Sequence, residues 1–312
     1  MSESSNDRPI LRLVVSPLNG ADNTCLQAAL VEIAGQNTSV SVIARPQEGH
    51  YSLEATTESA LDSICDRLRD EYHLLIDVGP PAAILLETVR KQAEAEGKYI
   101  RQTGGSGNYG HCKLRIEPAE PGKGYQFIDD ISAGAVPSEY IDPIDQGIRT
   151  AMKQGVLAGF PVVDVRVTLY DGSYHETDSN PMAFTFASSI AFKEAAKKAS
   201  PVILEPMMSL EIEVPQEIVP AIRREISVHR GRIDHELTGS GLNEIRATVP
   251  LSELLSVAPG GLAEFPMKFS GYEPVRDSGL PDDGKAGVTA NKPNYPRKGS
   301  RSEVTPWTPE EE

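Results

Sequence analysis

Two short stretches carry residue types whose spacing could do chemistry. The first is Gly105-Ser106-Gly107-Asn108-Tyr109-Gly110, which fits the pattern GxGxxG. As a dinucleotide fingerprint it needs a helix directly after the glycines, because the pyrophosphate sits on that helix's amino end. Instead His111-Cys112-Lys113-Leu114-Arg115-Ile116 follows, with Cys112, Leu114 and Ile116 alternating against polar neighbours. That is the period of a strand. No GxxxxGK[ST] occurs in the 312 residues, so the phosphate-cradling loop of P-loop enzymes is missing from them. What remains is two strands joined by a glycine-rich tip. Glycine frees the backbone and leaves it bare, which suits either a plain flexible hairpin or a slim probe that approaches a groove closely.

The second stretch is Asp171-Gly172-Ser173-Tyr174-His175-Glu176-Thr177-Asp178-Ser179. His175 with Asp178 could exchange protons, but His-x-x-Asp in one loop is not a triad, and no Ser or Cys nucleophile stands in a matching arrangement. His175, Glu176 and Asp178 could touch a metal, yet no second histidine falls at ligand spacing. Cys25, Cys65 and Cys112 are odd in number and scattered, which argues against a disulfide framework and a zinc site. The reading at this point is an exposed polar loop, with no cofactor, no metal and no catalytic set expected.

The elements around these loops repeat. Residues 9–15 read as a strand, and Leu26, Ala29, Leu30 and Ile33 fall on one face of a helix over 21–35. Strands at 39–46 and 51–56, a helix through Leu61, Ile64, Cys65 and Leu68, and a strand at 73–79 complete a β-α-β-β-α-β order, which is ferredoxin-like. The same order returns late: a strand at 203–214, a helix through Ile218, Ile222 and Ile226, a hairpin of 231–239 with 243–250, a short helix at 252–257 that Ser252 could cap, and a strand at 263–269. The middle holds strands at 84–90, 97–103, 109–117 and 161–170, with helices at 142–154 and 186–199. From Arg276 the chain is polar and rich in proline and glycine, the composition of a disordered tail. The expected fold class is α+β, with a ferredoxin-like unit over 1–81, a different α/β unit over 82–200, a second ferredoxin-like unit over 201–275 and a tail over 276–312.

The totals set limits. Hydrophobic residues are 39% and charged residues 24%, the balance of a globular chain. No apolar run nears the ~20 residues that span a bilayer. The start MSESSNDRPI lacks a secretory pattern, so a cytoplasmic location and no membrane partner are expected. The net charge of −15 speaks against nucleic acid when taken alone. It is a sum, however, and a small basic surface can sit inside it.

One family accounts for the loops. The run Gln102-Thr103-Gly104-Gly105-Ser106-Gly107-Asn108-Tyr109-Gly110-His111 resembles the start of domain four of elongation factor G, the ribosomal translocase. The likeness continues through Gly134-Ala135-Val136-Pro137, Leu157-Ala158-Gly159-Phe160-Pro161-Val162-Val163-Asp164, the Gly172–Ser179 loop, Ala187-Ser188-Ser189-Ile190-Ala191-Phe192 and Leu204-Glu205-Pro206-Met207-Met208. It covers about 80–275 by motif and 9–80 by pattern. The resemblance implies domains three, four and five of the factor without its GTPase and barrel domains. Domains three and five of the family are ferredoxin-like, and domain four is related to a ribosomal-protein fold. It implies a ribosome-binding protein with no nucleotide hydrolysis of its own, whose domain-four tip enters the decoding site beside ribosomal RNA, messenger and transfer RNA. A separate GTPase chain is a further partner the resemblance suggests. The tip residues it implies are Gln102, Gly104, Gly105, Ser106, Gly107 and Asn108 in one loop and His175 and Asp178 in the other, acting by shape and hydrogen bonding. In domain five the corresponding contact residues are His229, Arg230 and Arg232.

Departures from the family pattern qualify this. Ser106 stands where an arginine is usual. The arginine-rich turn reads Val228-His229-Arg230-Gly231, and the stretch Ala258-Pro259-Gly260-Gly261-Leu262 is shortened. These changes and the acidic balance leave a second expectation open, that of a repurposed paralogue serving as a non-ribosomal protein-interaction scaffold.

Overall fold

The structure is a computed structural model that describes residues 8–19, 22–36, 39–45, 49–101, 107–132, 134–239, 241–256 and 261–275. The first unit runs β1 (Leu11–Pro17), α1 (Asn23–Gln36), β2 (Val40–Arg45), β3 (His50–Ala55), α2 (Glu58–Asp70) and β4 (Ile76–Val78). Its sheet has the order β2-β3-β1-β4, the ferredoxin-like arrangement that the element order implies. Leu26, Ala29, Leu30 and Ile33 of α1 and Leu61, Ile64, Cys65 and Leu68 of α2 are buried, as their spacing of three and four requires.

Two short strands follow, β5 (Ala82–Ala83), which pairs with β1, and β6 (Leu86–Val89). The middle unit then holds β7 (Ala93–Arg101), β8 (Asn108–Pro118), β9 (Tyr125–Asp129), α3 (Ile141–Gln154), β10 (Val165–Ser173) and α4 (Pro181–Lys198). The sheet order is β7-β8-β10-β9, antiparallel except for the β9–β10 pair. Helix α4 lies close on β7 and β8 because Gly97 has no side chain: a Cβ there would meet the α4 backbone at Ala187 and Ala191. Ala183, Ala187, Ala191 and Ala195 form the matching small-residue face and are fully buried.

The last unit runs β11 (Pro201–Pro215), α5 (Val219–Val228), β12 (Arg232–Thr238), β13 (Leu242–Pro250), α6 (Leu251–Leu254) and β14 (Met267–Pro274), with sheet order β12-β13-β11-β14. It repeats the order of the first unit. One apolar cluster runs through both of these units, a second fills the middle one, and Ile84, Leu86, Val163, Val202 and Leu204 form a small third.

Several expectations need correction. The strand at 84–90 does not join the middle sheet. It becomes β6 and pairs with the start of β11, from Leu86↔Leu204 to Val89↔Pro201. β13 pairs only with Met207–Pro215, so the first residues of the long β11 have an edge free for it. Strand β9 has no counterpart among the expected elements; it is a five-residue edge strand whose Tyr125 and Phe127 pack against the middle core while Ile128 is exposed. The segment Pro161–Asp164 precedes β10 and includes Asp164 at φ 53°. Helix α4 starts at Pro181, five residues before the expected 186, because Asn180 caps it and Pro181 takes the first turn. Ser252 is not a cap: α6 starts at Leu251 after Pro250, with no side-chain cap. The last strand lies at 267–274 and not 263–269, after a 3-10 turn at Leu262–Glu264. The tail over 276–312 lies outside the described residues.

Glu87 ties β6 to the middle unit. Its side chain is fully buried. The carboxylate accepts five backbone N–H groups, from Val156 and Leu157 at 2.6 and 2.9 Å and from Ala158, Gly159 and Phe160 at 2.7, 2.9 and 3.0 Å. A buried anion needs such compensation, and oriented backbone donors provide it without a counter-charge.

Candidate functional site

The hairpin β7–β8 and the loop after β10 end on the same side of the middle sheet and are bonded together. Gly107 N–H donates to Asp178 Oδ1 at 2.9 Å, and Tyr109 N–H donates to the Asp178 carbonyl at 2.8 Å. Asn180 Nδ2 donates to Asn108 Oδ1 at 2.8 Å, while its Oδ1 accepts the N–H of Ala183 at 3.0 Å. One side chain thus caps α4 and holds the glycine hairpin. Gly107 lets the hairpin approach the loop closely: a Cβ would stand 2.9 Å from the Asp178 carboxyl carbon, and that side chain would have to shift. Gln102, Gly104, Gly105 and Ser106 lie outside the described residues, so the structure brings together Gly107, Asn108, His175 and Asp178 from the expected tip set.

His175 is the outermost of these, with 56% of its side chain exposed. Its loop is closed by Ser179, whose N–H donates to the His175 carbonyl at 3.0 Å and whose Oγ accepts the His175 N–H at 2.9 Å. Nδ1 lies 3.1 Å from Thr177 Oγ1 and 3.7 Å from Asp178 Oδ2, leaving Nε2 to solvent. Asp178 therefore serves inside the tip: its carboxylate is engaged by Gly107 and stands beside His175. No group of three or more potential metal ligands occurs among the described residues, and none of their helices is long and apolar enough to cross a membrane.

Below the tip, Ser173 Oγ lies 2.8 Å from Tyr109 Oη and 2.7 Å from His111 Nδ1. His111 is buried, and its Nε2 faces Glu96 Oε2 at 3.4 Å without hydrogen-bond geometry. Burial, followed by the Lys98 charge, holds its pKa below the usual imidazole value, and Glu96 opposes this only in part. Burial pushes the neighbouring Cys112 thiol up to about 12, so it is inert.

The last unit treats its expected contact residues differently. Arg230 sits at φ 55° after α5 and reaches inward. Its NH1 and NH2 donate to the two oxygens of Glu205 at 2.7 and 2.9 Å, and Nε donates to Glu253 at 2.6 Å. Glu205 is 3% exposed and also accepts Ser252 Oγ at 3.2 Å. The Glu205 hydrogen bond raises the Arg230 pKa, so this cation is permanent. His229 lies 3.5 Å from Glu225 and from Glu253, and Arg232 pairs with Asp234 at 2.9 Å and Glu273 at 2.7 Å. All three side chains face carboxylates of their own unit.

Charge is also unevenly shared. Residues 82–200 hold 13 Lys and Arg against 15 Asp and Glu, whereas 1–81 hold 5 against 12 and 201–275 hold 6 against 11. The overall acidity thus belongs to the flanking units, and the tip-bearing one is nearly neutral. Asn180 and Ser173 were missed as site residues. The signal for Asn180 was present, since Asn followed by Pro before a helical run marks an N-cap.

With this geometry, the comparisons are specific. Residues 81–200 match elongation factor G, domain IV, and residues 202–281 match the elongation factor G C-terminus. A crystal structure of a protein from Thermus thermophilus superposes with a TM-score of 0.65 at 36% identity, covering 86% of this chain and 41% of that one. The chain is therefore translation-factor-like. It belongs to the elongation factor G family, whose domain IV and C-terminal domain it carries in tandem. It spans less than half the length of the Thermus protein.

Proposed function

We propose that this chain binds the ribosome and inserts the tip of its middle unit, Gln102 and residues 104–108 with His175 and Asp178, into the decoding site, without hydrolysing nucleotide itself. The units fall at 1–81, 82–200 and 201–275, and the middle one does the inserting. The observation that carries this reading is the bonding of two family-specific loops into one polar tip with His175 outermost. Such a tip reads RNA by shape and hydrogen bonds, and needs no chemical step. The near-neutral charge of 82–200 supports it, because the acidic excess lies mostly in the flanking stretches of the sequence. Cytoplasmic location follows from this partner. Co-sedimentation with purified ribosomes tests the proposal: the protein pellets at low salt and is released as salt rises. Failure to pellet at low salt overturns it.

A second reading, a non-ribosomal protein-interaction scaffold, is favoured by one observation, the pairing of His229, Arg230 and Arg232 with carboxylates. It requires a dominant non-ribosomal partner whose capture is indifferent to loss of His175.

A further inference from the structure

Helix α4 leaves a stripe uncovered. Met182, Phe186 and Ile190 recur every four residues along it and are exposed, Phe186 by 46%. On the adjacent edge strand, Ala95 and Gly97 lie beneath α4, so the alternation of β7 puts Tyr99 and Arg101 on that same face. The Tyr99 ring stacks on Phe186, with centroids 4.9 Å apart and planes inclined by 28°. Arg101 is exposed and makes no ion pair among the described residues. The cations described on the opposite face of the sheet are engaged: Lys98 with Glu96, Lys113 with Asp171, Arg115 with Glu94 and Arg166 with Glu117. The face thus combines a stacked aromatic pair, an apolar flank and one uncompensated guanidinium. It runs straight into the tip, since Arg101 immediately precedes the glycine stretch and Met182 follows Asn180 by two residues.

We propose that this face is an RNA-binding platform: an unpaired nucleobase stacks on Phe186 beside Tyr99, and its phosphate is held by Arg101. A protein partner could cover the stripe and set a carboxylate on the arginine, but the face continues into the tip that the ribosome reading places on RNA. RNA uses both, because every base has a π-face and every nucleotide a charge. The platform rests on the ribosome-binding reading for its biological setting, and it adds a contact outside the two tip loops.

Two measurements are made on the full chain and its variants. One is fluorescence anisotropy with a labelled oligouridine of about 12 nucleotides; the other is ribosome co-sedimentation. Phe186→Ala and Arg101→Ala are each expected to weaken oligouridine binding about tenfold, with an unchanged thermal midpoint. Phe186→Trp retains binding, and Arg101→Ala lowers the salt slope by about one charge. Equal oligouridine binding by all variants overturns the platform. So does wild-type protein that pellets with ribosomes but ignores oligouridine, and this leaves the ribosome reading standing. Sedimentation that is lost in Phe186→Ala without any oligouridine binding overturns RNA in favour of a protein occupant. Oligouridine binding that depends on Phe186 without sedimentation upholds the platform and overturns the ribosome reading.

Discussion

The loop 174–180 and the turn 229–232 each set a histidine beside acidic groups, yet they direct their polar atoms in opposite senses. In the loop, backbone and amide groups satisfy one another, and the His175 ring is left facing water. In the turn, Arg230 is drawn inward by Glu205 and Glu253, and His229 and Arg232 are flanked by carboxylates. Two residue sets that look alike as contact candidates therefore differ in what a partner would have to displace. At the described part of the tip, the Asp178 carboxylate is already engaged by the Gly107 N–H and the outer side of the His175 ring is open. At the turn, an incoming phosphate competes with carboxylates already in place.

The sharpest way to break this contrast is at its buried member. Glu205→Ala strips Arg230 of its bidentate partner and is expected to cost about 3–5 kcal/mol in denaturant unfolding, the range for one partner lost from a buried pair. A loss below about 1 kcal/mol would mean the pair is not structural. His175→Ala should act the other way round: ribosome affinity falls about tenfold, roughly 1.4 kcal/mol, while stability stays within about 0.5 kcal/mol. Asp178→Ala removes the acceptor of the Gly107 N–H and should lower stability by about 1 kcal/mol, with weaker ribosome binding as the hairpin loosens. Binding unaffected by either tip variant would remove the tip from the interface.

A smaller effect concerns pH. The His111 pKa is depressed below its ordinary 6.5, so the unfolded chain takes up a proton before the folded one does. Its contribution is complete above the ordinary value and is lost as the pH falls through the folded pKa. His111→Asn should flatten this slope below about pH 6.5. Arg232→Ala, which breaks a half-exposed pair, should cost less than about 1 kcal/mol.

Much of this arrangement was legible in the residues. The strand period after Gly110 removed a dinucleotide loop, and the two split βαβ orders followed from apolar spacing alone. The sequence could not reveal partners set by distant chain crossings. Nothing local to Leu86–Val89 says it will pair with residues 201–204, because an apolar run fits any open edge. Likewise Arg230 and Ser252 look like a contact and a cap until Glu205, far upstream, claims both. Tyr125–Asp129 shows too little to read as a strand, because only Tyr125 and Phe127 turn to the core and the exposed Ile128 blurs their alternation.

Glu87 has exchanged water for peptide. Five consecutive residues, 156–160, turn their N–H groups onto its carboxylate and act as its hydration shell. Each donor withdrawn leaves the buried carboxylate less compensated. One side chain thus holds the loop and the strand to each other. β6 is also laced to β11, so the strand that carries Glu87 fastens the loop at 156–160 to the C-terminal sheet as well.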